Sequence, residues 1–452
     1  MKCLYSGRGE RTPASPTGRA NRLHSPVREI APVTPGGPAS APYSLAPRRV
    51  EPSKIDLLHH LLTPPMALHQ NSQLLVNHLE ALPLLEGRFE QLKLVNFDSV
   101  NDKKRGCFSL VFRAIDRITG NPVALKFFDL DPQWFHNPYR RSGFVREHQL
   151  LETLLTKGRC LQLVAGLSTY ELPTGGPNGF MVPCQYFATE WLDVGIDDYF
   201  LTSKHSAVKR LFLLLDVILA VEALHRNEIF HRDLKADNLR AAADRVVVAI
   251  DLGTAARFDS GPILPAYGGS VGAPAYAPME ARAGLAGNRT LAKFSDIYAI
   301  GCLLFELFNP DYFYARLVSK NPQYEMNLMA MGMLVNGVTD ENAQVKAWDD
   351  ALDKHALGVT TIEIDSAGSD VPAGIAPMLN QLLATFTHVD YRRRPQTLDA
   401  ARKRIQAAIK VLENQKLYDG RLKQARERKN SREAKLAQKS ARRKAKQVEI
   451  SK

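Results

Sequence analysis

Residues 231–238 read His-Arg-Asp-Leu-Lys-Ala-Asp-Asn, and Asp251-Leu252-Gly253 begins thirteen positions after Asn238. One short stretch thus carries a carboxylate, an ammonium and an amide. A second carboxylate arrives at the end of the apolar run Val246 to Ile250. This is the residue set that phosphoryl transfer needs. It offers a base for an accepting hydroxyl, a positive charge near the moving phosphoryl group, and two oxygen donors suited to Mg2+.

Order and spacing resemble the catalytic loop and metal-binding motif of protein kinases, and Lys235 resembles the serine/threonine branch. The resemblance implies an α+β, bilobal fold with a small β-rich N-lobe and a larger helical C-lobe. It also implies roles. Asp233 orients the substrate hydroxyl and takes its proton, and Lys235 sits on the transferring group. Asn238 and Asp251 hold Mg2+ against ATP. His231 packs in the core, and Arg232 pairs with an activation-segment anion.

Upstream, Val123-Ala124-Leu125-Lys126 ends a strand-like segment, and Glu147 follows Lys126 by 21 residues on a helical segment. A lysine there neutralises phosphates and a glutamate there holds its ammonium. Taken alone, such a pair is an ordinary surface ion pair worth about 0–1 kcal/mol. The phosphate-covering loop is sparse: Lys104-Arg105-Gly106-Cys107-Phe108-Ser109-Leu110-Val111 keeps one of three template glycines, Gly106, with Phe108 and Val111 in place. Lys104 and Ser109 stiffen it, and solvation is the expected fate of Lys104 and Arg105.

Thr189-Glu190-Trp191-Leu192 resembles the hinge between lobes. Nucleotide contacts are implied for Gly106, Val111, Ala124, Lys126, Thr189, Glu190 and Leu192, with Asp197 or Asp198 near the ribose. Gly272 to Glu280 resembles the end of the activation segment. Glu280 matches the glutamate that pairs with a late arginine, here Arg394, and Asp296 and Gly301 match positions of the large buried helix.

Three departures stand out. Leu252 replaces a phenylalanine. Ala273 replaces a threonine whose hydroxyl links to Asp233 and Lys235, an expected loss of about 1 kcal/mol of organisation. Arg240 falls where a leucine-like residue floors the adenine, its stem packing while its head snorkels. Ser260 and Ser270 are expected autophosphorylation sites, ahead of Thr254, Tyr267 and Tyr276.

The elements that must position these groups follow from the pattern. Phe89 to Phe97, Phe108 to Ala114 and Pro122 to Phe128 read as strands, with a turn at Thr119-Gly120-Asn121. Phe144 to Leu155 and Leu211 to Arg226 read as helices, as do residues 293–308 and 375–387. A last helix begins near Thr397 and runs past Leu412. The kinase-like region is expected over 88–405, with lobes of about 88–190 and 193–405. The segment 309–374 matches no pattern and is expected to shape substrate docking.

Charge separates this body from its ends. Residues 1–65 carry nine Lys/Arg and four Asp/Glu, and residues 421–452 carry thirteen and three, so the chain's net +12 lies in its ends. The Pro-, Gly-, Ser- and Arg-rich stretch 1–50 reads as disordered, and 1–65 as a tail or a mis-assigned start upstream of Met66. Residues 406–452 read as a basic, partly helical extension. Its Lys/Arg-rich part, residues 421–452, is either a solvated tail or an anchor for an anionic partner, nucleic acid or an acidic surface, and has no aromatic residue for base stacking.

Five scattered cysteines, Cys3, Cys107, Cys160, Cys184 and Cys302, suit a reducing, cytoplasmic setting. The longest apolar run, Leu211 to Leu224, is broken by Asp216 and Glu222, so no transmembrane segment is expected. Two classes of function stay open: an active kinase on protein substrates, and a pseudokinase-like nucleotide-binding scaffold or nucleic-acid-associated signalling protein.

Overall fold

A computed structural model describes residues 68–98, 103, 104, 106, 108–174, 179–202, 204–241, 246–257, 271–355, 358–365, 371, 372 and 374–450. The expected N-terminal tail, Arg105, Cys107, Ser260, Tyr267 and Ser270 lie outside them.

The chain first forms α1 (Gln70–Ala81), then β1 (Phe89–Leu94), β2 (Ser109–Asp116), β3 (Pro122–Phe128), α2 (Pro138–Thr153), β4 (Leu163–Pro173) and β5 (Met181–Glu190). The five strands form one sheet in the order β1-β2-β3-β5-β4, antiparallel throughout. The strand expected over Phe89 to Phe97 is interrupted after Leu94, and Phe97–Asp98 pairs instead with Lys103–Lys104. Helix α2 starts six residues before the expected Phe144. Asn137 caps it through Arg140 N–H, and Pro138 stands at the first turn, where its missing N–H costs nothing.

Alternation along the strands gives the sheet two faces. Leu110, Phe112, Val123, Leu125, Phe127, Tyr186 and Ala188 form one buried cluster with Leu75, Val76 and Leu79 of α1. Phe127 stacks on Tyr186 with centroids 4.8 Å apart. Helix α1, upstream of the expected boundary at 88, therefore covers one side of the sheet. The opposite face carries Val111, Ala124, Lys126 and Thr189: Val111 is the register partner of Lys126, and Ala124 that of Thr189.

Helices dominate beyond the hinge: α3 (Ala207–His225), then the short strands β6 (Leu239–Ala241) and β7 (Val247–Ala249), then α4 (Arg289–Glu306). Asn288 caps α4 through the amides of Thr290 and Leu291, so this helix starts before the expected residue 293. Gly301 is required inside it, because a Cβ there would stand 2.6 Å from Thr387 Cγ2. The unassigned segment supplies α5 (Phe313–Lys320), α6 (Tyr324–Val335) and α7 (Glu341–His355), followed by α8 (Ala376–Phe386) and α9 (Asp399–Ile450). Their buried residues, Phe313, Leu328, Trp348 and Leu379 among them, join α3 and α4 in one large core. No helix among the described residues is long and apolar enough to cross a membrane. Cys160, Cys184 and Cys302 are buried free thiols.

Candidate active site

Lys126 is the hub. Its Nζ donates to Glu147 Oε1 at 2.9 Å and Oε2 at 2.7 Å, and to Asp251 Oδ1 at 2.8 Å. Burial alone would lower the Lys126 pKa; the charges of Asp251 and Glu147 override it and leave the ammonium raised. Asp251 is likewise held below the usual carboxylate range, because Lys126 outweighs the burial that pushes it up. Asp251 reaches Lys126 from a left-handed backbone, φ 62°, which costs a non-glycine residue roughly 1–2 kcal/mol. Strain of this kind persists only where surrounding structure fixes it.

That structure is the loop 231–238. Asp296, fully buried on α4, accepts the backbone amides of His231 and Arg232, both at 2.8 Å, and the His225 ring at 2.9 Å. His231 is fully buried, with Nε2 2.8 Å from the Ile250 carbonyl. Ile250 N–H donates back to the Asn238 carbonyl at 2.9 Å. These bonds tie residues 231–238 to the strand that delivers Asp251.

Asp233 and Asn238 meet directly. Asn238 Nδ2 donates to the Asp233 carbonyl at 2.8 Å and to its Oδ2 at 3.1 Å. Ala273 N–H donates to Asp233 Oδ1 at 2.7 Å. The threonine hydroxyl's link to Lys235 is not replaced by this bond, but residue 273 still gives Asp233 a donor through its backbone N–H. Gly272 makes this possible: its φ is +80°, and a Cβ there would collide with the Arg232 carbonyl oxygen. Burial raises the Asp233 pKa, opposed by the charges of Lys235 and His231. Lys235 also lowers Asp251, so its charge acts on both carboxylates.

The roof differs from expectation. Lys104 is not solvated: it pairs with Asp129, its side chain only 4% exposed. Asp129 also accepts the Ser72 hydroxyl of α1 and donates its own N–H to the Phe108 carbonyl at 3.0 Å. Asn96 accepts Val111 N–H at 2.9 Å and donates to the Ser109 carbonyl at 3.0 Å. Phe108 is buried, its ring 5.9 Å from Lys126 Nζ and 5.3 Å from the Arg140 guanidinium. Gly106 keeps a left-handed φ of 86°. The sequence carries no local signal for Asn96, Asp129 and Arg140 here, because these partners lie 13 or more residues away.

At the hinge, Thr189 is buried and its hydroxyl donates to the Glu190 carbonyl at 3.3 Å. The Glu190 carboxylate turns away to accept Gln162 N–H at 2.9 Å. Leu192 is half-buried against the main core. Arg240 does not simply snorkel: its Nη1 lies 3.7 Å from Asp197 Oδ1, and Asp198 faces His205 at 3.2 Å. The two carboxylates expected near the ribose thus already have basic neighbours.

In the activation segment, Arg232 donates to the Thr254 and Ala286 carbonyls at 2.8 Å. Burial, reinforced by Arg146, lowers its pKa to about 10. The Thr254 hydroxyl donates to the His231 carbonyl at 3.1 Å, and the Tyr276 hydroxyl to Glu306 Oε2 at 2.7 Å; both are structural. Arg394 clasps Glu280 at 2.5 and 3.2 Å with both side chains buried.

A family model described as "Protein kinase domain" matches residues 104–406. This chain belongs to the protein kinase family. Its relatives include serine/threonine-protein kinase PknB of Mycolicibacterium smegmatis, 31% identical over 149 residues, 32% of this chain and 22% of that one. A probable serine/threonine-protein kinase of Streptomyces coelicolor is 28% identical over 207 residues, 45% of this chain and 28% of that one. Serine/threonine-protein kinase SIK2 of Gallus gallus is 28% identical over 224 residues, 48% and 25%. The chain thus spans under a third of the length of these relatives. Bacterial members among them fit the kinase resemblance of the sequence.

The donor set fits a magnesium nucleotide. Among the described residues no group of three His, Cys, Asp or Glu side chains converges to cage a metal. Mg2+ is ordinarily held by one or two protein oxygens with phosphates completing its shell, and Asp251 and Asn238 offer that number.

Proposed function

We propose that this kinase-family chain transfers the ATP γ-phosphoryl group to serine and threonine hydroxyls of protein substrates. The observation that carries this is the convergence of Lys126, Glu147 and Asp251 through bonds of 2.7–2.9 Å, beside an Asp233 oriented by Asn238 and Ala273. ATP and Mg2+, when bound, supply the phosphoryl group and neutralise the charge between phosphates.

This chain's residues then do the following. Lys126 keeps its charge and pairs with phosphate oxygens while Glu147 fixes its position. Asp251 and Asn238 present oxygens for the metal. Asp233, aimed by two hydrogen bonds, orients the acceptor hydroxyl and takes its proton, and Lys235 offsets charge on the transferring group. Val111, Ala124 and Leu192 give the adenine apolar surface, the Glu190 and Leu192 backbone its polar edge, with Thr189 behind. Gly106 lets the roof approach the phosphates. The intact charge set favours turnover over a scaffold role.

The test is magnesium-dependent labelling of a generic basic protein by the purified chain, with the modified residue identified by mass spectrometry. Phosphoserine or phosphothreonine is expected; phosphotyrosine alone would contradict the substrate class.

A further inference from the structure

Helix α9 runs from Asp399 to Ile450, yet among its described side chains the last buried one is Leu412. From Glu413 to Lys439 every described side chain is exposed, a free length of about 40 Å at 1.5 Å per residue. No described side chain of this part is buried, so its composition answers to something other than core packing in this chain.

Its charges are sorted by face. Arg421, Arg428, Arg432, Lys435 and Lys439 follow one another at intervals of 7, 4, 3 and 4. At 100° per residue they fall within an arc of roughly 60°, along about 27 Å of helix. Lys423 and Arg426 point elsewhere, as do the acids Glu427 and Glu433, and Glu433 has its own partner in Lys429 at 3.9 Å. The stripe is therefore cationic without an acid inside it. The sequence continues the spacing at Arg442 and Lys446.

We propose that this stripe binds duplex DNA through its phosphates, without base specificity. A stripe at 3–4 spacing is where a partner helix would need apolar residues, and here it repels a second copy of itself. Insertion at a membrane surface needs a broad apolar face with aromatic anchors; among the described side chains of residues 413–439 the exposed large apolar ones are Leu417 and Leu436. Duplex DNA presents a regular line of phosphates, about one charge per 1.7 Å. A helix of 10–12 Å diameter fits the major groove of B-form DNA, about 12 Å wide, but not the narrow deep groove of duplex RNA.

The experiment is fluorescence anisotropy of a 20-base-pair DNA duplex titrated with the full chain, between 50 and 200 mM salt. Neutralising five phosphates predicts a log–log salt slope near −4.5, about a 500-fold loss over that range. Arg428→Glu with Arg432→Glu should weaken binding at least about 10-fold more than Lys423→Glu with Arg426→Glu, which changes charge equally off the stripe. Equal losses from the two pairs would overturn the stripe. No binding at 50 mM salt, or a flat salt response, would overturn the partner. Tighter binding to duplex RNA or to phosphatidylglycerol vesicles than to DNA would do the same. An Asp233→Asn chain should bind DNA as well as the unaltered one, so this test stands apart from kinase activity.

Discussion

The backbone amide of Ala273 donates to Asp233 Oδ1 at 2.7 Å, from a position where a side-chain hydroxyl is the expected link. The carboxylate is aimed by the turn rather than by residue 273's side chain. Ala273→Thr should therefore leave turnover within about threefold, since Asp233 already has a donor from this residue's backbone and the added hydroxyl link contributes only about 1 kcal/mol. Gly272→Ala should cost far more, because it demands a left-handed alanine and a collision with the Arg232 carbonyl. A loss of at least tenfold in kcat is expected; kinetics on the two variants at matched folding check it. Burial raises the Asp233 pKa. The acid limb of the kcat profile should accordingly lie above the ordinary carboxylate range, with activity rising as Asp233 ionises.

Phe108 and Gly253 are matched in shape. A Cβ on Gly253 would stand 2.7 Å from Phe108 Cζ. Gly253→Ala should push the roof aromatic out and raise the ATP KM. Phe108→Leu in the same chain should recover much of it. The expected coupling is about 1 kcal/mol, readable as a double-mutant cycle on KM. Additive effects would mean that the ring and the glycine do not constrain one another.

Glu306 offers a pH signature. Burial pushes its carboxyl up to about 8, while the Tyr276 hydroxyl bonded to it opposes this. Between the unfolded value near 4.3 and about 8, the folded chain binds more protons than the unfolded one, so this group's contribution to stability falls as pH rises through that window. Glu306→Gln should remove that slope. Melting temperatures from pH 5 to 8.5 should show the variant gaining on the unaltered chain as pH increases.

Glu280 and Arg394 are both buried, and each alone would be an unpaired charge. Arg394→Ala should cost about 3–5 kcal/mol. Melting should fall by roughly 10 °C in a domain of this size. Glu280→Leu combined with Arg394→Met should lose less than the single change, since the remaining charge goes with it. Thermal unfolding of the two proteins separates these outcomes.

Much of the site was readable before the structure because its chemistry is written in contiguous or fixed intervals. Asp233, Lys235 and Asn238 share eight residues, and Lys126 and Glu147 keep the interval that brings a strand and a helix together. The Glu280–Arg394 pair was readable from its surroundings despite a separation of 114 residues. The rest acts through backbone or pairs side chains across distant sequence. Ala273 acts through an amide, which no residue letter encodes. Lys104 looked like a surface lysine because its partner Asp129 lies 25 residues on, across a strand pair. Helix α1 has a weak sequence signal, because its buried apolar residues are Leu75, Val76 and Leu79 alone, beside an exposed Leu74 that blurs the period. Arg240 looked like an odd floor for adenine, and its neighbour Asp197 became visible only when strands β6 and 194–195 paired.

If Asp233 directs phosphoryl transfer in a site that also grips ATP, transfer and binding must separate when Asp233 is changed. The most direct measurement pairs incorporation of γ-labelled phosphate with ATP binding, for the unaltered chain and for Asp233→Asn, with and without Mg2+. Magnesium-dependent serine or threonine labelling by the unaltered chain is expected. In Asp233→Asn labelling should fall by about 10²–10⁴, with ATP binding retained. An unaltered chain that binds ATP without transferring phosphate, or an Asp233→Asn chain that labels at the unaltered rate, would contradict that role for Asp233.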